Sequence, residues 1–163
     1  MTVLIRKAQR QDALQLWRLM KELALFEKYI DSFAITPDIV TQRGFDKDPP
    51  DFHCLVAEDK GRLVGMAVYY FLPFTAQNRP VIFLKELYVA ADYRNRHIGE
   101  RLMRMLRAEA KRQHCVQIKW TVAAWNDHGK RFYARLGAKQ NNDWLNYEWS
   151  VDDENLRSID GAE

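Results

Sequence analysis

The segment Leu87-Tyr88-Val89-Ala90-Ala91-Asp92-Tyr93-Arg94-Asn95-Arg96-His97-Ile98-Gly99 joins a β-rich run to an amphipathic one through a turn dense in polar donors. A strand that delivers the chain to a helix N-terminus makes an anion site. The first-turn N–H groups have no intrahelical partners, and the macrodipole favours negative charge there by about 0.3 to 1 kcal/mol per interaction. Gly99 lets a ligand approach the backbone, and Arg94 and Arg96 add charge at the rim, so a pyrophosphate can be held there. The same residues also read as a basic loop capping a helix. His53-Cys54 and His114-Cys115 invite a zinc reading. If each pair lies on a strand, its two side chains point to opposite faces and cannot converge on one ion, so two buried core cysteines and no metal are expected. Two cysteines are also too few for a disulfide framework, and no disulfide is expected.

These residues need elements to position them. Val3 and Ile5 read as a short opening strand, and Gln11-Asp12 precede Leu16, Leu19, Met20 and Leu23 at helical spacing. Thr36-Pro37-Asp38 offers a cap and a first-turn proline, which predicts a second short helix running toward Arg43 and stopping at Gly44. Residues 52–58 and 62–72 are β-rich runs around the Asp59-Lys60-Gly61 turn, hence a hairpin, and residues 81–89 add a third strand. A helix begins near Ile98 with Leu102, Met105 and Leu106 on one face. Then follow a strand over 116–122, a helix over 127–136 closed by Gly137, and a final strand over 144–151. The order βααβββαβαβ predicts an α/β (α+β) chain with a mixed central sheet and helices on its faces. A single domain over 1–163 is expected, with a polar tail from about residue 152.

Composition narrows the function classes. With 47% hydrophobic residues, 12% aromatics and five tryptophans, the chain of 163 residues is not a disordered one. Its net charge of +3 does not support a nucleic-acid partner. No run reaches the roughly 18 apolar residues that cross a bilayer. The early charges at Arg6, Lys7 and Arg10 are followed by no apolar h-region, so a cytoplasmic protein with no membrane partner is expected.

The stretch from Val89 to Arg94, continued by Asn95-Arg96-His97-Ile98-Gly99, resembles the signature of the GNAT N-acetyltransferase superfamily, V-x-x-x-Y-R followed by x-x-G-x-G. His97 replaces the first glycine of that signature; a backbone donor survives there if the dihedrals remain helical, and the imidazole can itself meet a phosphate. Ile5-Arg6, Lys21-Glu22-Leu23-Ala24, Phe26-Glu27, Gly44-Phe45, His53-Cys54-Leu55-Val56-Ala57-Glu58, Val64-Gly65 and Tyr69-Tyr70-Phe71 are similar, in order and spacing, to the diamine acetyltransferase branch. So are Ala124-Trp125-Asn126, Phe132-Tyr133 and Gly137-Ala138. That branch acts on spermidine, spermine or thialysine.

The resemblance implies a GNAT fold in which a splayed strand pair forms a cleft for acetyl-CoA. It implies that the backbone of Leu87, Tyr88 and Val89 pairs with the pantetheine arm and polarises the thioester carbonyl. It also implies that Arg94, Asn95, Arg96, His97, Ile98, Gly99 and Glu100 wrap the pyrophosphate, and that Asn126, Asp127, His128 and Gly129 make a second cofactor contact. Tyr133 is implied as proton donor to the departing thiolate, although a tyrosine beside Phe132 also suits core packing. Asn126 equally suits a plain helix cap. Glu86 is the candidate to accept the amine's proton directly or through water, and Phe26 with Glu27 frames the substrate, Glu27 holding a distal ammonium. Either carboxylate can instead be solvated or paired. Lys85 stands where polyamine enzymes of the branch carry a carboxylate, and a cation lining the pocket favours a lysine-like acceptor. Strand alternation places Lys85 and Glu86 on opposite faces, so only one of them is expected to face the acceptor.

The implied function is acetyl-CoA-dependent N-acetylation of a small primary amine (diamine, polyamine or thialysine/lysine-like) by direct attack on the thioester. The alternatives are a protein or peptide N-acetyltransferase and a catalytically inactive acyl-CoA-binding module. A homodimer is implied as well, with Trp144, Tyr147 and Trp149 fitting either its interface or the core.

Overall fold

Turn and cap residues set the ends of most elements in the structure, a computed structural model that describes residues 2–152. In chain order these are β1 (Leu4–Lys7), α1 (Ala13–Phe26), α2 (Pro37–Thr41), β2 (His53–Asp59), β3 (Arg62–Leu72), β4 (Val81–Val89), α3 (Ile98–Arg112), β5 (Ile118–Lys119) and α4 (Asp127–Arg135). The Thr36 hydroxyl accepts the Ile39 N–H at 3.2 Å while Pro37 takes the first position of α2. The chain then continues through a wider helical turn, Gln42–Asp46, past the predicted stop at Gly44. Lys60 (φ 50°) and Gly61 (φ 82°) turn β2 into β3, and Gly137 (φ 86°) ends α4.

The chain falls into two units, Met1–Ala123 and Ala124–Glu163. The first contains one sheet in the order β1-β2-β3-β4-β5, antiparallel through β4 and parallel between β4 and β5. On one face, Leu16, Leu19, Met20 and Leu23 of α1 and Val40 of α2 pack with Cys54, Val56, Met66, Val68 and Tyr88 of the sheet. The opposite face receives α3 through Ile98, Leu102 and Leu106; Met105, expected on that face, is exposed, and Met103 is buried in its place. A Cβ at Gly65 would come within 3.3 Å of both Leu102 and the Tyr88 carbonyl, so glycine there sets how closely α3 approaches β3. Arg6 clasps the start of the fold: its Nε donates to Glu58 at 2.7 Å, and Nη1 and Nη2 donate to Asp12 at 2.7 and 3.0 Å.

Among the described residues of the second unit, α4 is the sole helix and no strand forms. The strand predicted over 144–151 is absent: Leu145, Tyr147, Trp149 and Val151 keep the period-two pattern but are 75% to 90% exposed. A period-two pattern marks a face to bury, yet a strand needs a neighbour for its N–H and C=O groups, and none is there among the described residues. The same exposure removes Trp144, Tyr147 and Trp149 from the core. The polar tail expected from about 152 lies outside the described residues. The predicted strand over 116–122 shortens to the two residues of β5.

The two His-Cys pairs are unlike each other. His53 stacks on Tyr69 at 5.6 Å and meets Phe71 edge-to-face at 4.9 Å while Cys54 enters the core beneath α1, so the pair does straddle the sheet. His114 (φ 57°) and Cys115 instead sit in the turn after α3, not on a strand.

Candidate active site

The pairing of β4 ends early on its outer edge. Ile82 and Phe83 face Ile118 and Lys119 of β5, after which the two strands part, whereas on the inner edge β3 follows β4 as far as Val89. Residues 84–89 therefore present backbone donors and acceptors along an edge without a strand partner among the described residues. This is the splayed pair that the sequence implied, and it explains why β5 is only two residues long.

The inner edge carries a β-bulge. Tyr69 faces Leu84 and Val68 faces Glu86, so Lys85 is an extra residue with no partner on β3. Alternation is broken there, and Lys85 and Glu86 share a face instead of dividing between two. Their side chains meet, with Lys85 Nζ 2.6 Å from Glu86 Oε1. The expectation that only one of them faces the site is thus corrected, and the bulge is the physical reason. Since Val68 lies in the core beneath α1, that face is the one covered by α1 and α2.

The end of α1 brings further groups to the pair. Partial burial of its carboxyl, and then the Glu86 charge, hold Glu27 above its ordinary 4.5, with Lys85 pulling the other way. Burial, then Glu86 and Glu27, push the Tyr29 hydroxyl up as well. Tyr70, half-buried, responds first to burial and then to Lys85 and Glu86, and its ring stacks on Phe83 at 6.4 Å. Two carboxylates, one ammonium and two phenols thus share one electrostatic neighbourhood. Glu86 is only 7% exposed, and its Oε2 is buried with no hydrogen-bond partner. A buried carboxylate oxygen left unpaired normally costs stability. Tyr29 and Tyr70 escape sequence reasoning because nothing local ties a tyrosine after α1, or one inside β3, to a bulge on β4.

The loop after β4 differs in detail from a simple cationic rim. Arg94 donates from Nε to the Val89 carbonyl at 3.1 Å, and its guanidinium lies over Phe26 and Tyr88 at 4.9 and 5.7 Å. It ties the loop to the end of α1, and Phe26 serves as its platform. Tyr88 in turn donates its hydroxyl to Glu22 at 3.1 Å. Arg96 lies over Tyr93 at 4.8 Å, and Tyr93 donates to Asp59 at 2.7 Å.

Asn95 (φ 61°) and His97 (φ 60°, ψ 16°) are both left-handed. The right-handed helical dihedrals that would have made His97 an innocent replacement are therefore not adopted; a glycine would enter this region without steric cost. Arg101 N–H bonds to the His97 carbonyl at 3.0 Å, and the first-turn N–H groups of Ile98, Gly99 and Glu100 have no intrahelical acceptor. The Glu100 carboxylate folds back onto Arg104 at 2.8 and 3.0 Å, with His97 Nδ1 at 3.4 Å. Arg104 bonding holds Glu100 below its ordinary 4.5, so an acid in this turn is matched by a cation.

In the second unit, Asn126 Oδ1 accepts the Gly129 N–H at 2.9 Å and caps α4. A Cβ at Gly129 would lie 2.7 Å from the Asn126 amide, so the cap and the glycine belong together. Asp127 and His128 are exposed in the first turn of α4. Tyr133 is half-buried, its ring 5.3 Å from that of Phe132.

Comparison with known proteins places this geometry. The profile of the acetyltransferase (GNAT) family matches residues 14–138. A thialysine N-epsilon-acetyltransferase from Sus scrofa is 34% identical over 146 residues, 85% of each chain. Spermidine/spermine N(1)-acetyltransferase-like protein 1 from Homo sapiens is 33% identical over 141 residues, 82% of this chain and 20% of that much longer one. Among solved structures, an integron cassette protein from the mobile metagenome of V. cholerae superposes with a TM-score of 0.79 at 19% identity, covering 99% of both chains. An aminoglycoside N-acetyltransferase in complex with CoA gives a TM-score of 0.72 at 16% identity, covering 90% of this chain and 94% of that one. With a profile match over most of its length and relatives above 30% identity, the chain belongs to the GNAT acetyltransferase family.

Proposed function

We propose that the protein is a cytoplasmic, acetyl-CoA-dependent N-acetyltransferase of a small primary amine, either a diamine or polyamine or a lysine-like amino acid such as thialysine. The observation that carries this reading is the bulge of β4, which sets a buried carboxylate with an unpaired oxygen beside the open edge of the same strand. A relative named for thialysine and another named for spermidine and spermine support the amine class. The family match runs across the boundary between the two units and supports a single acetyltransferase domain.

The residues suit acetyl-CoA, which when bound supplies an activated acetyl thioester. The free edge offers the N–H and C=O groups of Leu87 and Val89 to an amide-bearing arm, the Val89 carbonyl also accepting Arg94 Nε, while the backbone groups of Tyr88 between them turn to Met66 of β3. One such N–H aimed at a developing oxyanion contributes about 3 kcal/mol. The N–H groups of Ile98, Gly99 and Glu100 suit phosphates, with Asn95, Arg96 and His97 shaping the approach.

Deprotonation is the harder problem, because an alkylammonium of pKa about 10.4 costs roughly 4 to 5 kcal/mol to deprotonate at pH 7. Glu86 Oε2 takes that proton, and Glu27 holds the acceptor's remaining ammonium. The Tyr133 hydroxyl gives a proton to the departing thiolate, a role carried by the sequence resemblance. No cysteine nucleophile is required, consistent with burial pushing the Cys54 thiol up and away from reactivity. The homodimer implied by the branch completes the proposal.

Thiol release from acetyl-CoA over spermidine, diaminopropane, thialysine, lysine and a peptide is the direct test. Turnover with the small amines is expected. Turnover with the peptide alone would favour a protein acetyltransferase, and CoA binding without any turnover would favour a regulatory module.

A further inference from the structure

The proposed reaction leaves Lys85 without a task, although it is the amine nearest the centre. Its Nζ lies 2.6 Å from Glu86 Oε1, on the very carboxylate proposed to take the acceptor's proton. Lys85 is the bulged residue, and the outer edge of β4 becomes free of β5 immediately before it. Its side chain is 39% exposed against 7% for Glu86, so the amine reaches a buried carboxylate from an accessible stem. A primary amine, a carboxylate and the unpaired edge of β4 thus meet within one bulge.

We propose that Lys85 is itself an acetyl acceptor: when no amine substrate is present, the site acetylates its own ε-amine. This rests on the function proposed above. The chemistry is that of the amine reaction. The Lys85 ammonium passes one proton to Glu86, and its lone pair then forms a bond to the acetyl carbonyl carbon. The carbon–sulfur bond breaks, and the second nitrogen proton leaves with the thiolate as CoA thiol. One proton is released to solvent through Glu86, and nothing is oxidised or reduced. The product is a neutral amide, so Glu86 loses the ammonium that its Oε1 contacts, and Glu27 loses the Lys85 charge that offsets that of Glu86. The modified site is then better matched to acceptors that carry more ammonium groups.

The test is incubation of the intact protein with acetyl-CoA and no amine, read by intact mass and by peptide mapping. A single acetyl group is expected on the peptide holding Lys85, at a rate per molecule independent of protein concentration. That rate should be about a hundredfold or more above those of the exposed Lys60 and Lys119 in the same sample, because the reacting groups are held together. Saturating amine acceptor should suppress it, and Glu86→Gln should slow it by about a hundredfold. The comparison with Lys60 and Lys119 needs no variant, so it decides the matter even if Glu86→Gln fails to fold. Lys85→Arg keeps the charge and should take no acetyl group at position 85. Turnover of free amines with Lys85 modified no faster than Lys60 or Lys119 would overturn the inference and leave the proposed function standing. Absence of both reactions would overturn the two together.

Discussion

Lys85 and Glu86 show how much one backbone irregularity changes. Alternation alone would have separated them, but the bulge puts an ammonium and a carboxylate on one face, where the Glu86 charge acts on Glu27, Tyr29 and Tyr70. Lys85→Gln removes the internal cation while leaving Glu86 in place. Relative to the parent, its kcat/KM ratio for spermidine over thialysine should rise by about tenfold, since one neighbouring charge at intermediate dielectric is worth over 1 kcal/mol. An unchanged ratio would show that Lys85 does not sense the acceptor. Tyr133→Phe belongs to the same scale: a fall of about a hundredfold in kcat with little change in acetyl-CoA binding is the signature of a lost proton donor. Unchanged turnover would return Tyr133 to packing against Phe132. The types of these residues were legible in the sequence, but their company was not, because no local pattern announces a bulge.

At the scale of elements, the left-handed start of α3 is the feature most open to improvement. His97→Gly relieves the steric cost of φ 60° but adds chain entropy to the unfolded state, for a net gain of up to about 1 kcal/mol in a denaturant titration. The Arg6 clasp joins β1, β2 and the start of α1 and makes a sharper pH prediction. Burial pushes the Asp12 carboxyl up, but the Arg6 bonds and the Gln9 N–H outweigh it and leave it below its ordinary 3.8. A carboxylate depressed on folding contributes fully above its unfolded value, so the contribution should persist at neutral pH and disappear as pH falls through the acid range below 3.8. Asp12→Ala should lower stability by about 3 kcal/mol at pH 7 and by much less near pH 2, measured by thermal unfolding at each pH. Elements bounded by strong turn or cap residues matched expectation: β3 between Gly61 and its end, α2 after Thr36, α4 before Gly137. The strands read from periodicity near β5 and over 144–151 did not, because both depended on neighbours that local sequence does not name.

For the molecule as a whole, the net charge of +3 conceals local asymmetry: cations flank the loop that leads into α3, and carboxylates gather beneath α1 at Glu27 and Glu86. The aromatic segment at 144–151 is exposed, and the proposed homodimer is what would cover it. Sedimentation velocity of the full chain is expected to show a dimer, and joint replacement of Trp144, Tyr147 and Trp149 by Ser should shift it toward monomer. A monomeric parent at the same concentration would remove the homodimer from the proposal.

The sequence by itself determined the family signature, the face that α1 buries, Leu102 and Leu106 but not Met105 on that of α3, and the caps and turns that end most elements. Those features arise between a side chain and the backbone within a few residues of it. Only the tertiary structure decided the bulge at Lys85, the parting of β4 from β5, the Arg6 clasp and the turning of Arg94 onto Phe26 and Tyr88. Each of these is a relation between residues distant in the chain, where register and pairing are set by which partner arrives rather than by what the strand prefers.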